Sequence, residues 1–243
     1  MSEWFSGIKA KFILDFIADQ RWKYITDGLK VTLEVTFLAL ILGLVLGAVI
    51  AVIRTTHDQL KEDQSKGFGS FLIKLVDLIC RVYLTVIRGT PTMVQLLIMF
   101  FIVLASSNNK VMVAVITFGV NSGAYVAEIF RSGIMSVDKG QMEAGRSLGL
   151  GYTDTMLQII MPQAIKNCLP ALVNEMITLL KETSICGYIG LNELTRGGDI
   201  IRGITYDAMM PLLIVAVIYL VIVMFFTWLM GKLERRLRES DIR

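Results

Sequence analysis

The stretch Gly140 to Pro162, GQMEAGRSLGLGYTDTMLQIIMP, is the longest polar interval in the apolar second half of the chain. Apolar segments long enough to cross a bilayer lie on either side, so we expect a water-exposed loop with structure of its own. Three apolar residues give it the narrow apolar edge of a short helix: Met142, Leu148 and Leu150. Gly149 and Gly151 stop that helix. Pro162 closes the segment just before the next helical run.

The composition of the chain is that of a membrane protein. Hydrophobic residues make up 54% of the 243 positions, and the mean hydropathy is +0.63, more apolar than a typical soluble domain. Two uncharged runs, Val35 to Ile53 and Ala208 to Gly231, have the length of about 20 residues that a helix needs to cross a bilayer. The sequence therefore predicts an all-α integral membrane protein with no room for a large soluble domain.

Charge, cysteine and histidine content argue against several function classes. The net charge is +3, too small to imply a nucleic acid partner. Cys80, Cys168 and Cys186 form no CxxC pair, and the single histidine, His57, lies in a polar stretch. We therefore expect no disulfide framework, no metal site and no histidine-dependent catalysis. The N-terminus has no short apolar core with a small-residue cleavage site, so we expect no removable signal peptide.

The apolar pattern predicts about five transmembrane helices. The predicted spans cover residues 24–53, 71–105, 111–135, 164–185 and 208–231. Residues 71–105 would form a continuous helix of about 50 Å, too long for one span, and Arg88-Gly89-Thr90-Pro91 breaks it into two pieces. Gly43 and Gly47 form a GxxxG pair, which indicates close packing of span one against another helix.

The segments outside the spans complete the predicted organisation. Residues 1–23 form an N-terminal amphipathic segment at the membrane surface with its aromatic side chains at headgroup level. Residues 24–235 form the transmembrane domain, within which 138–163 is the loop described above, and 236–243 form a charged tail. Residues 54–70 are predicted as a polar loop, and residues 186–207 are a second polar stretch.

Polar side chains at membrane depth are the first candidates for a binding site, because they are costly there. Span four carries Asn174, Glu175 and Thr178, of which Asn174 and Thr178 share one helix face. The same residues could instead form a polar contact that fixes helix packing, and their spacing alone does not decide. Glu128 and Arg131, three apart in span three, favour a structural salt bridge.

The break at Arg88 to Pro91 favours a binding role. Irregular backbone at membrane depth persists only where it is buried in protein or lines a wet cavity. A helix that begins near Pro91 points its positive end into that region, and broken helices of transporters hold substrate carboxylates in this way. We therefore predict that Gly89 and Thr90 bind a substrate carboxylate and that Glu175 binds an amino group or a basic side chain. A plain kink is the alternative.

The Gly140 to Pro162 segment resembles the EAA loop of the permease subunits of bacterial ABC importers. That loop reads Glu-Ala-Ala, three residues, Gly, nine residues, then Ile-x-Leu-Pro. The matching positions here are Glu143, Ala144, Gly149, Ile159 and Pro162. Gly145 replaces the third Ala and Met161 replaces Leu, and both replacements are conservative.

Three further stretches resemble the polar amino acid branch of these permeases, the histidine, glutamine and arginine permeases. They are Arg88-Gly-Thr-Pro with Val94-Gln95, Ala124 to Arg131, and Leu172 to Ser184. The resemblance covers residues 25–236 and implies the MetI-like ABC importer permease fold with a cytoplasmic coupling helix.

The resemblance also implies a function and a set of partners. The chain would be a permease subunit of an ATP-driven importer that moves polar amino acids across the cell membrane, with Glu143, Ala144, Gly145 and Gly149 in the ATPase-coupling helix. A second permease subunit, identical or a close paralogue, two ABC ATPase subunits and an extracellular binding protein would complete it. The chain has no GxxxxGK[ST] loop. It would therefore be no enzyme itself, and ATP and Mg would bind the ATPase.

Charge distribution predicts the orientation in the cell membrane. Five spans place the two ends on opposite sides, and lysine and arginine are more numerous on the inner side if the C-terminus is cytoplasmic and the N-terminus outside. The 140–162 loop is then cytoplasmic. The alternative function is an ATP-independent channel or secondary carrier for small polar solutes. A membrane-embedded enzyme is a third option, which the poverty in histidine and cysteine disfavours.

Overall fold

The computed structural model of the chain describes residues 7, 9–62 and 68–241. This part contains α-helices and shorter helical turns and no β-strand, which confirms the all-α prediction. The nine α-helices are α1 Trp22–Glu62, α2 Phe68–Gly89, α3 Thr92–Ile98, α4 Lys110–Met135, α5 Lys139–Ser147, α6 Tyr152–Thr155, α7 Met161–Glu182, α8 Leu194–Thr205 and α9 Met209–Asp241. Tighter or wider helical turns adjoin them at Ile13–Ile17, Ala18–Gln20, Met99–Val103, Met156–Ile160 and Thr183–Ile189.

Within the described residues, three helical stretches are long and apolar enough to cross a membrane by themselves. They are Trp22–Asp58, Lys110–Met135 and Met209–Arg236, and they correspond to predicted spans one, three and five. Helices α2 and α7 have 22 residues each, also long enough to cross, and correspond to the first piece of span two and to span four. Their apolar character is interrupted by charged residues, four in each helix.

Helix α1 extends well beyond the predicted end of span one. Its 41 residues make it about 60 Å long, roughly twice the hydrocarbon thickness. The prediction of a loop over residues 54–70 is therefore wrong for 54–62 and for 68–70, which are helical. The polar residues that end the apolar run have partners on other helices. Arg54 Nη1 lies 2.7 Å from Glu128 Oε1, and His57 Nδ1 lies 3.7 Å from Asp77 Oδ2.

The chain divides by its contacts into two compact units. Unit 1 lies within residues 1–39, 92–117 and 177–229, and unit 2 within 40–91, 118–176 and 230–243. The buried core of unit 1 consists of Phe16, Ile25, Leu194, Ile201 and Val215. Two of these residues belong to α8, so the polar stretch 186–207 contains a packed helix that the sequence reading did not predict. A side chain at Gly197 of α8 would collide with the carbonyl oxygen of Tyr24, which shows how closely α8 lies against α1.

The N-terminal segment of unit 1 is only partly the amphipathic helix that the sequence predicts. Residues 9–17 are helical, but Asp19 and Gln20 have positive φ angles of 50° and 54° and interrupt the helix before α1. Phe16 is buried in the core of unit 1, so its ring packs against other residues of the protein. Trp4, Phe5 and Ile8, which belong to the same prediction, lie outside the described residues.

Helices α1 and α4 pack closely in unit 2 through glycines on both sides, as the GxxxG pair predicts. A Cβ on Gly43 would lie 2.9 Å from the Ser122 side chain, and one on Gly47 would lie 2.5 Å from Val126. In return, Gly119 and Gly123 of α4 lie against Leu42 and Leu46 of α1. Small residues at both surfaces let the backbones approach, which is how helices associate in membranes.

Candidate functional site

The predicted coupling helix exists as α5, and its ends are set by local chemistry. Asp138 caps the N-terminus, where its Oδ1 accepts a hydrogen bond from the Gly140 N–H at 2.6 Å. Gly149 follows the helix with a φ of +88°, a left-handed conformation that glycine adopts without a steric penalty. The Leu150 N–H then bonds back to the Gly145 carbonyl at 3.2 Å. The sequence prediction of a short helix ended by Gly149 is confirmed.

Gly145 is the buried residue of α5, and its lack of a side chain is required by the packing. A Cβ there would lie 2.5 Å from Thr155 Cγ2 and 3.1 Å from Ile159 Cδ1. The alanine of the general EAA pattern would therefore not fit unless Thr155 moved. The glycine at position 145, where the EAA pattern has alanine, is explained by the Thr155 side chain that packs against it.

The outer face of α5 carries the other predicted coupling residues. Glu143 and Ala144 are exposed, and Leu148 just after the helix is 82% exposed. Met142 instead packs inward against Val137, Ile160 and Ala164, so the predicted apolar edge is split between an inner and an outer part. The exposed surface of α5 and of the residue that follows it thus includes a carboxylate and a large apolar side chain.

The inner face of α5 contacts a helix that continues into span four. Residues 152–182 are helical without interruption, through α6, the π turn Met156–Ile160 and α7. The prediction that Pro162 closes the segment before the next helix is wrong, because that helix begins ten residues earlier, at Tyr152. The π turn accommodates the proline. Its last bond runs from the Met161 N–H to the Met156 carbonyl, directly before the residue that has no N–H to donate.

The predicted break in span two is confirmed. Helix α2 ends at Gly89, and α3 begins at Thr92. Gly89 is open, with no atom within 4 Å of the position that a Cβ would occupy. The Thr90 hydroxyl donates to the Val86 carbonyl at 2.8 Å, and this hydrogen bond closes the C-terminus of α2.

The polar residues of span four lie on α7. Glu175 accepts a hydrogen bond from the Ser122 hydroxyl of α4 at 2.8 Å, so one part of the packing alternative is present in the structure. Asn174 is exposed. Thr178, also exposed, belongs to unit 1. A cavity of about 450 Å³ in unit 2 is lined by Gly89, and its lining includes neither Asn174 nor Glu175.

Sequence reasoning missed the ionic cluster that surrounds this cavity. Glu128 and Arg131 do not pair with each other. Glu128 binds Arg54, and Arg131 Nη2 lies 3.6 Å from Asp58 Oδ2. On α2, Arg81 Nε donates to Asp77 Oδ2 at 2.6 Å. The signal was present in the sequence, since Asp77, Arg81 and Arg88 recur at the four- and seven-residue spacing of one helix face.

Sequence reasoning also missed the buried polar cluster of unit 1. Glu193 caps α8, because its carboxylate accepts hydrogen bonds from the N–H groups of Thr195 and Arg196, both at 2.7 Å. The Tyr219 hydroxyl also reaches it at 3.4 Å. Burial raises the pKa of Glu193, and these donors partly oppose the shift. The cluster joins α8 to α9 and is structural.

Comparison with known proteins shows the family to which the chain belongs. A family model described as the inner membrane component of binding-protein-dependent transport systems matches residues 68–239. The chain belongs to this family.

Relatives and a solved structure agree with this assignment. The arginine transport system permease protein ArtQ of Bacillus subtilis is 41% identical over 162 residues, which are 65% of this chain and 74% of ArtQ. A putative glutamine transport system permease protein GlnP of Rickettsia typhi is 36% identical over 217 residues, 88% of this chain and 93% of GlnP. The crystal structure of an amino acid ABC transporter with histidines is 41% identical, covers 91% of this chain and 98% of its own, and superposes with a TM-score of 0.78.

Membership in this family confirms the predicted importer permease and its all-α fold. The chain is an inner membrane component of a transport system. The family works with a binding protein, as its description says. The predicted roles of individual residues stay predictions.

Proposed function

We propose that this chain is the permease subunit of an ATP-driven importer for polar amino acids. The observation that carries the proposal is the construction of α5. It is a capped helix whose outer face presents Glu143 and Leu148, and whose inner face is locked to the helix of span four through Gly145. The relatives named for arginine and glutamine transport support polar amino acids as the substrate class.

In this proposal α5 transmits the motion of a separate ATPase. Two ABC ATPase subunits bind ATP and Mg, and each contacts the α5 of one permease subunit. This chain holds no cofactor of its own. Because residues 152–182 form one uninterrupted helix, a displacement of α5 acts on Asn174 and Glu175 through Thr155. Interiors this closely packed transmit small shifts between neighbouring elements.

The remaining partners and the orientation follow the same proposal. A second permease subunit, the same chain or a close paralogue, encloses the pathway in the lipid bilayer, and an extracellular binding protein delivers the amino acid. The N-terminus is outside and the C-terminus cytoplasmic, as the distribution of lysine and arginine supports. Gly89, Thr90, Asn174, Glu175 and Thr178 contact the substrate.

Copurification and uptake test this proposal together. The chain is expressed with its ATPase partner, extracted gently and reconstituted in vesicles. The binding protein is added outside, and uptake of labelled arginine, histidine and glutamine is measured with and without internal ATP. We expect ATP-dependent uptake and a complex that is lost when residues 140–150 are replaced by a Gly/Ser linker. Uptake by the chain alone without ATP would instead establish a channel or secondary carrier.

A further inference from the structure

The cavity beside Gly89 in unit 2 is unusual because guanidinium groups dominate its charged lining. Its volume is about 450 Å³, and its charged lining residues come from three helices: Arg54 of α1, Arg81 and Arg88 of α2, and Glu128 of α4. Charged side chains in membrane helices are rare and mark substrate or ion pathways. A cavity that collects three of one sign therefore needs an explanation beyond helix packing.

The charges around the cavity do not balance. Glu128 binds Arg54 at 2.7 Å, and the buried Asp77 behind the lining binds Arg81 at 2.6 Å. Arg88 Nη1 is 3.9 Å from Glu128 Oε1, too far for a hydrogen bond. Three guanidinium groups thus face two carboxylates, and one positive charge is left over. The cavity therefore carries a net positive charge, which favours an anion.

The donors that remain open have the right form for a carboxylate. Arg81 and Arg88 have side chains 53% and 45% exposed. Arg81 lines the cavity and uses its Nε for Asp77, so its terminal nitrogens remain for a ligand. Thr85 lies between them on the same face of α2 and also lines the cavity. The Arg88 guanidinium is steadied 5.6 Å above the Tyr125 ring. Guanidinium groups bind carboxylates through two parallel hydrogen bonds.

We propose that this cavity is a transient binding site for the carboxylate of the transported amino acid, with Arg81 and Arg88 as the binding residues. The site rests on the proposed function and deepens it, because Gly89 lines the same cavity and joins the guanidinium groups to the predicted contact at the helix break. If the site is used, transport requires a free carboxylate on the substrate. An analogue that has the amino group but lacks the carboxylate is then not transported. The phosphate group of an anionic lipid is also an anion that guanidinium groups bind, and the test below distinguishes a lipid site from an amino acid site.

The test places a competing charge in the cavity without removing any existing ion pair. Thr85→Glu is compared with Thr85→Gln, which has nearly the same size and no charge. Both variants are reconstituted with the ATPase in phosphatidylcholine vesicles with the binding protein outside, and concentration-dependent uptake of arginine, histidine and glutamine is measured. Because the new carboxylate would compete with the substrate carboxylate for the same guanidinium groups, we expect the half-saturating concentration of the Glu variant to rise about tenfold or more over that of the Gln variant.

A second pair of variants covers the case in which Thr85→Glu does not reach the membrane. Arg88→Gln weakens the site, and Lys74→Gln removes a charge from an exposed position of the same helix as the control. We expect loss of apparent affinity only in the Arg88 variant. The amine analogue, added in excess, should not compete with the amino acid in the wild type.

Each other outcome overturns a specific statement. Equal uptake by the Glu and Gln variants, or by both variants of the second pair, overturns the carboxylate site and leaves the importer intact. Anionic lipid that copurifies with the wild type and is lost from the variant, with unchanged uptake in phosphatidylcholine, makes the cavity a lipid site. Absence of ATP-dependent uptake of any of the three amino acids in the wild type overturns the proposed function itself.

Discussion

Two glycines in the predicted functional segments, Gly145 and Gly89, differ in how closely other residues pack around them. A Cβ on Gly145 would lie 2.5 Å from Thr155, whereas one on Gly89 would meet no atom within 4 Å. Gly145 permits contact between two helices, and Gly89 ends a helix and leaves its backbone accessible. In the proposed function the first segment transmits the motion of the ATPase and the second contacts the substrate. Substitutions in the two segments should therefore have different effects.

The largest effect is expected at the outer face of α5. Glu143→Lys reverses the charge of an exposed side chain, so it should uncouple transport from ATP hydrolysis and lower uptake at least about tenfold, as loss of an interface hot spot does. Uptake and ATPase activity are measured in the same vesicles. Gln141→Lys, on the same exposed helix, is the control, and unchanged uptake by Glu143→Lys would argue against α5 as the docking helix.

The next effect is expected at the inner face of α5. Gly145→Ala should lower thermal stability through overpacking against Thr155, by about 1–3 kcal/mol less the gain of about 1 kcal/mol in helix propensity. Thr155→Ala removes the colliding atoms, so the double variant Gly145→Ala/Thr155→Ala should recover. Melting of the purified complex is measured for all three. A double variant no more stable than Gly145→Ala would show that the two residues are not coupled.

A smaller effect is expected on the polar face of α7. Asn174→Leu should change the preference among arginine, histidine and glutamine, or lower uptake severalfold, with little change in melting, because Asn174 is exposed. Competition between labelled and unlabelled amino acids measures the preference. A fully active variant with unchanged preference would assign this face to helix packing.

The smallest effect is expected at the helix break. Gly89→Ala adds a methyl group in open space, so stability should change by less than about 0.5 kcal/mol. Uptake should fall modestly if the substrate carboxylate approaches the backbone there, and Gly69→Ala, an equally open glycine of α2, provides the control. Loss of melting stability without loss of uptake would show that the break serves the fold alone.

Local patterns carried most of what could be predicted. The spacing of apolar residues placed the spans, and Arg88-Gly89-Thr90-Pro91 placed the break, because proline and glycine act on the backbone where they stand. Gly149 placed the end of α5 for the same reason. The helix α8 was missed because its burial depends on partners far along the chain. Leu194 donates its N–H to Thr32 at 3.1 Å, and no local pattern contains that contact.

The sequence by itself determined that the chain is a membrane permease, since apolar length and the EAA pattern are local properties of the residues. Only the tertiary structure decided why Gly145 stands where the pattern has alanine, since Thr155 lies against it. It also decided that Arg81 and Arg88 share a cavity with Arg54 and Glu128. Side chains from three helices meet there. The sequence does not show which charged residues of different helices lie close together, so it does not predict the net charge of the cavity.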